Sequence, residues 1–153
     1  MGEQQHSGLR SLLLGNPPDN GSQNLESFSS VRQLVTVPAD GTTAYLRWWH
    51  IHHTQEGVTD SPGRQEDRQD VILLAQNMQP MEISSRVRQN NGVWQESQVD
   101  LTNYIGKTFY IYFNAYNDGN QLPEYTTIHL CHTINASQHS SQINNEHAAR
   151  CDD

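Results

Sequence analysis

Val93–Gly119 reads VWQESQVDLTNYIGKTFYIYFNAYNDG, and its second half decides the fold class. From Phe109 onward apolar and amphipathic residues alternate. Phe109, Ile111, Phe113 and Ala115 fall on one side, and Tyr110, Tyr112, Asn114 and Tyr116 on the other. Side chains alternate across a strand with period two, so one row faces a core and the other faces outward. Before the strand come a short polar-apolar run, Glu96 to Leu101, and a turn at Tyr104-Ile105-Gly106-Lys107. After it, Asn117-Asp118-Gly119 are residues that accept tight-turn conformations.

The same period recurs outward from this stretch. Leu9 to Gly15 alternates, with Leu12 and Leu14 opposite Leu13. In Ser29 to Val37, residues Val31, Val35 and Val37 share a face. Ala44 to His53 carries Tyr45, Trp48 and Trp49, and bulky side chains on both faces suit a central strand. Asp70 to Asn77 is a continuous apolar run of strand length. Met81 to Gln89 alternates again, with Ile83, Ser85 and Val87 on one face, and Asn90-Asn91-Gly92 is a hairpin signal. Tyr125 to Ile134 is the last strand. No segment sustains helical spacing. Seven or eight strands broken by turn residues predict an all-β, two-sheet antiparallel sandwich.

The 153 residues suit one domain. The expected division is a loose segment at 1–8, the sandwich at 9–134 and a polar tail at 135–153, disordered or exchanged with a neighbour. Seventeen acidic residues against nine basic give a net charge of −8. Phosphate contacts depend on Lys and Arg, so this balance disfavours nucleic acid and anionic membranes. No apolar run approaches a membrane span. Met1-Gly2-Glu3 lacks a signal-peptide pattern, so export, which the Asn- and Gln-rich surface suggests, requires a leader removed earlier or a longer parent chain. A disulfide between Cys131 and Cys151 is possible; spacing alone leaves open a buried Cys131 and a free tail thiol.

Several residue sets carry candidate chemistry. His50 and His52 share a strand face and, with His53 beside them, could bind zinc or copper if His129 or His132 converged; hydrogen-bonded imidazoles are the alternative. Asp60, Glu66, Asp67 and Asp70, in and beside the long polar loop Thr54–Arg68, offer oxygen ligands for calcium, with Asp118 at a second corner. A solvated acidic loop and a hairpin turn are the plainer readings. Trp48, Trp49, Trp94, Tyr110, Tyr112 and Tyr116 are candidate ligand contacts, because sugar CH faces pack on aromatic rings; core packing competes for the tryptophans. Asn135-Ala136-Ser137 fits a glycosylation acceptor. No nucleophile elbow and no spaced carboxylate pair is recognisable, so no catalytic residue is expected.

Taken in order, Gly8-Leu9-Arg10-Ser11-Leu12, Ser30-Val31-Arg32-Gln33, Leu46-Arg47-Trp48-Trp49, Gln69-Asp70-Val71-Ile72-Leu73-Leu74, and then Trp94 with Asp100-Leu101-Thr102-Asn103-Tyr104-Ile105-Gly106-Lys107, resemble the galactose-binding-like, MAM-like jelly rolls of secreted bacterial proteins. The resemblance spans roughly residues 7–134. It implies a non-catalytic extracellular jelly roll that binds glycans or holds structural calcium. It also implies a first strand, with an acidic calcium ligand, that this chain lacks. Such a gap would leave an open edge for another chain. The expected role is therefore adhesion or self-assembly, as a homo-oligomer completed by strand exchange; the alternative is a carbohydrate-binding module of a larger secreted hydrolase or peptidase.

Overall fold

The computed structural model describes residues 11–15, 17, 25–54, 67–119, 124–129 and 135–137. They build an antiparallel sandwich of two sheets. The strands are β1 (Leu12–Gly15), β2 (Ser27–Thr36), β3 (Thr43–Thr54), β4 (Arg68–Leu74), β5 (Pro80–Val87), β6 (Gln95–Asp100), β7 (Thr108–Asn117), β8 (Glu124–His129) and β9 (Asn135–Ser137). One sheet has the order β1-β8-β3-β6, with β9 also on β3; the other has the order β2-β7-β4-β5.

The parity expected for β7 is the parity observed. Phe109, Ile111, Phe113 and Ala115 are buried between the sheets, packed with Leu46, Trp48, Val71, Leu73 and Leu101. The twelve-residue β3 spans both halves of its sheet. β6 covers one side of it from Tyr45 to His50, and β8 covers the other side from Trp49 to Thr54.

The turn after β6 plugs one end of the sandwich. Asp100 Oδ1 accepts the Thr102 N–H at 2.8 Å, and hydrogen bonding from the Thr102 hydroxyl, then from this N–H, holds the Asp100 carboxyl below its ordinary pKa. Leu101, fully buried, is anchored by its N–H to the Ala44 carbonyl at 2.8 Å. Gly106, at φ 75°, donates to the Val37 carbonyl at 3.0 Å, and Val37 donates back to Lys107 at 3.0 Å. Only a residue tolerant of positive φ closes this turn without strain. The Tyr104 ring then packs on Phe109 at 5.2 Å.

Three expectations need correction. Asn90-Asn91-Gly92 is not a hairpin: β5 and β6 lie in different sheets, so the segment arches between layers. The Asn117-Asp118-Gly119 turn likewise leads from β7 in one sheet to β8 in the other. Ile83 does not share a face with Ser85 and Val87, because the β4–β5 register shifts between Val71 and Ile72 and pairs Ile83 with Ile72 but Ser85 with Val71. Such a bulge inserts one unpaired residue and reverses the side-chain parity beyond it. Within the predicted tail, Asn135–Ser137 pairs in-chain with Thr43–Tyr45, the part of β3 that β8 leaves uncovered. Residues 1–8 and 138–153 lie outside the described residues.

Candidate functional site

The space between the sheets changes character along its length. Towards the plug it is aliphatic and aromatic. Towards the opposite end the inward positions become His50, His52 and Thr54 on β3, Gln69 on β4 and Thr126 on β8. Between the open edges β5 and β6 this polar end widens into a cleft of about 90 Å³. Trp48, Val71 and Phe113 form its apolar wall, with Trp48 set edge-on to Phe113 at 5.8 Å. His50, Gln69, Gln95 and Ser97 supply polar groups.

His50 Nε2 and Ser97 Oγ are 2.7 Å apart, and burial lowers the His50 pKa. The opposite ring nitrogen, Nδ1, is buried and has no hydrogen-bond partner. Gln69 is 4 % exposed, and both its amide oxygen and its amide nitrogen are likewise unpartnered. A buried polar group left without a partner costs about 1–3 kcal/mol, so three such atoms on two residues that line one cleft are a feature to be explained.

His52 sits behind this wall, its ring 4.2 Å from that of His50. The Thr126 hydroxyl gives its one proton to the Ile51 carbonyl at 3.0 Å. Its oxygen therefore accepts from His52 Nδ1–H at 2.8 Å, which fixes that tautomer. Burial, then the neighbouring His50 and His53, push the His52 pKa down to about 3. The imidazoles are thus neutral at physiological pH. Asn91 completes the rim: its Oδ1 accepts the His52 backbone N–H at 3.0 Å and its Nδ2 donates to Gln95 Oε1 at 2.9 Å. An arch residue here continues the ladder past the end of β6.

The six aromatic candidates are dispersed over several surfaces. Trp48 alone lines the cleft. Trp49 points to the outer face of the five-stranded sheet, and Trp94 is half-buried just before β6. Tyr110 and Tyr112 are half-buried on the outer face of the other sheet. Tyr116 is buried on that face, under the Arg68 guanidinium at 4.7 Å and against Phe28 at 4.7 Å, with its hydroxyl donating to Glu26 at 3.1 Å.

The described metal candidates do not come together. Among the described residues no group of three His, Cys, Asp or Glu side chains converges. His53 faces away from His50 and His52 and stacks on Tyr125 at 4.4 Å. Asp70 is bound by Arg86 at 2.7 Å and Arg68 at 3.2 Å on the outer face. Asp67 is instead buried, its Oδ1 accepting the Asp118 N–H at 2.6 Å. Asp67 thus ties the start of β4 to the 117–119 arch, while Asp70 ties β4 to β5 through Arg86. Asp60, Glu66, His132, Cys131 and Cys151 lie outside the described residues.

Gln69, Gln95 and Ser97 were not singled out by sequence reasoning. Strand parity carried a signal for them: polar residues at inward positions of facing strands, all at one end.

No protein-family model matches the chain, and no curated protein sequence matches it. Among solved structures it is similar to a carbohydrate-binding module specific for non-crystalline cellulose, CBM28, at 8 % identity and TM-score 0.46, covering 83 % of this chain and 75 % of that one. It is also similar to a CBM61 module bound to β-1,4-galactotriose, at 10 % identity and TM-score 0.45, covering 83 % of this chain and 88 % of that one.

Proposed function

We propose that this domain is a non-catalytic carbohydrate-binding module, and that the cleft between β5 and β6 takes one edge or terminal residue of an uncharged glycan. The observation that supports it is the set of buried, neutral and unpartnered groups, His50 Nδ1 and both amide atoms of Gln69, beside the Trp48 wall. Sugars combine an apolar CH face with hydroxyls that both donate and accept. An aromatic edge next to an amide and an imidazole matches that combination. Among the described residues lining the cleft only Asp70 carries a carboxylate, and two arginines hold it on the outer face. Acid–base hydrolysis of a glycoside needs two carboxyl groups flanking the bond, and no such pair lies among the described lining residues. The cleft exceeds the ~10–15 Å³ one water needs but is too small to enclose an oligosaccharide, which is why the reading is limited to an edge or an end. Extracellular display is the setting in which such a module meets its ligand.

Isothermal titration of the full chain with neutral oligosaccharides tests this. Binding is expected, and Gln69→Leu and Ser97→Ala should each weaken it at least ~10-fold. Absence of binding by every neutral glycan on an array, or binding that survives Gln69→Leu, would overturn it.

A further inference from the structure

β2 forms one edge of the four-stranded sheet, pairing with β7 over its ten residues. Among the described residues no strand lies on its other side. Long free edges template pairing with another chain unless charge, proline or a bulge blunts them. β2 has no proline, no register shift against β7 and one charged residue, Arg32. On its outer face Phe28 is 62 % and Leu34 49 % exposed.

The order of residues along β2 selects its partner. Directly opposed residues of an antiparallel pair lie on the same face of the sheet. A two-fold axis at Arg32 would oppose two guanidiniums. An axis at Ser30 would set Phe28 against Arg32, and one at Gln33 would set Leu34 against Arg32. With the axis at Val31, each Phe28 meets the partner's Leu34, each Ser30 meets the partner's Arg32, and Val31 meets its own copy. This register alone joins both exposed apolar side chains and opposes no like charges.

We propose that a second copy of this chain is the occupant of the β2 edge, paired antiparallel about Val31, so that two four-stranded sheets become one of eight strands. This differs from strand exchange by a terminal segment, since each subunit keeps all its own strands. β5 lies at the far edge of the same sheet, so both clefts remain open and face apart. Two linked sites on one polymer gain avidity without a new contact.

Sedimentation equilibrium of the full chain, from micromolar to millimolar concentration, tests the pairing. A monomer–dimer equilibrium is expected. Ser30→Arg should weaken the dimer about five-fold or more and Ser30→Glu should tighten it by a similar factor, because each change acts on both symmetry-related pairs. The double variant Ser30→Arg/Arg32→Glu should recover association lost in Ser30→Arg. Ser30 is exposed, so unchanged circular dichroism will verify that these variants fold. A monomer at every concentration overturns the proposal, as does a dimer indifferent to the charge at position 30.

Discussion

The two ends of this interior are made by the same strands and behave as opposites. At the plugged end, Val37, Leu46, Leu73, Leu101 and Phe109 are all fully buried and apolar. At the other end, four to eight residues further along the same strands, the inward positions are His50, His52, Thr54, Gln69 and Asn117. The apolar end supplies the transfer free energy that holds the sheets together. The polar end gives some of that back as desolvated groups, several unpartnered. Apolar packing and polar burial are thus separated along the strand axis, with Trp48 and Phe113 at the boundary.

The largest expected effect breaks the apolar end. Phe109→Ala empties a fully buried ring site in contact with Tyr104, and should cost about 4 kcal/mol in a urea melt. A loss below about 2 kcal/mol would mean that the plug is not the stabilising half.

The next effect is on the polar end and is driven by acid. An unfolded His52 titrates near 6.5 and the folded one near 3. Between those values only the unfolded chain takes up the proton. Stability is therefore undiminished above pH 6.5 and falls as the pH drops through that window. Two pH units of this interval correspond to about 2–3 kcal/mol. Urea melts at stepped pH should show that slope, and His52→Asn should flatten it. An unaltered slope in the variant would assign the acid sensitivity elsewhere.

A smaller effect has the opposite sign. Gln69→Leu removes two unpartnered buried amide atoms, so the melt should be unchanged or improved by up to about 1 kcal/mol while glycan titration loses its signal. A loss of about 2 kcal/mol instead would reveal that the amide is satisfied in the free protein.

Most of the apolar end was legible in the sequence, because period-two alternation is a direct image of which face is buried. Phe109, Ile111, Phe113, Val31, Val35, Leu12 and Leu14 all face the side that alternation predicts. The polar end was legible only in fragments. The shared face of His50 and His52 is real, but Ser97 and Thr126, which hydrogen-bond them, come from strands 47 and 74 residues away. Turn chemistry identified Asn91-Gly92 as a reversal, yet a local signal does not encode whether the chain returns to its own sheet or crosses to the other. The β4–β5 bulge erased the parity of Ile83 for the same reason, since an unpaired residue is defined by the partner strand.

The turns sharpen the contrast by the least amount. At the polar end, Gly92 and Gly119 take positive φ, and side chains of Asn91, Asn117 and Asp67 brace the arches. At the apolar end, the β4–β5 turn puts Met78 at φ 68°, a conformation that costs a non-glycine residue roughly 1–2 kcal/mol. Glycine there would remove that strain but loosen the unfolded chain, for a net gain of about 0.5 kcal/mol. A β-branched residue would deepen the strain, so Met78→Gly and Met78→Val should separate by more than 1 kcal/mol with glycan affinity unchanged in both. The hairpin tolerates Met78 because the packed half of the sandwich has stability to spare; the arches beside the cleft, resting on hydrogen-bonded side chains over a poorly satisfied interior, do not. If Met78→Val unfolds the domain while a Gly119→Ala variant melts normally, despite a Cβ that would lie 2.5 Å from the Glu26 nitrogen, then the division of labour between the two ends is drawn the wrong way round.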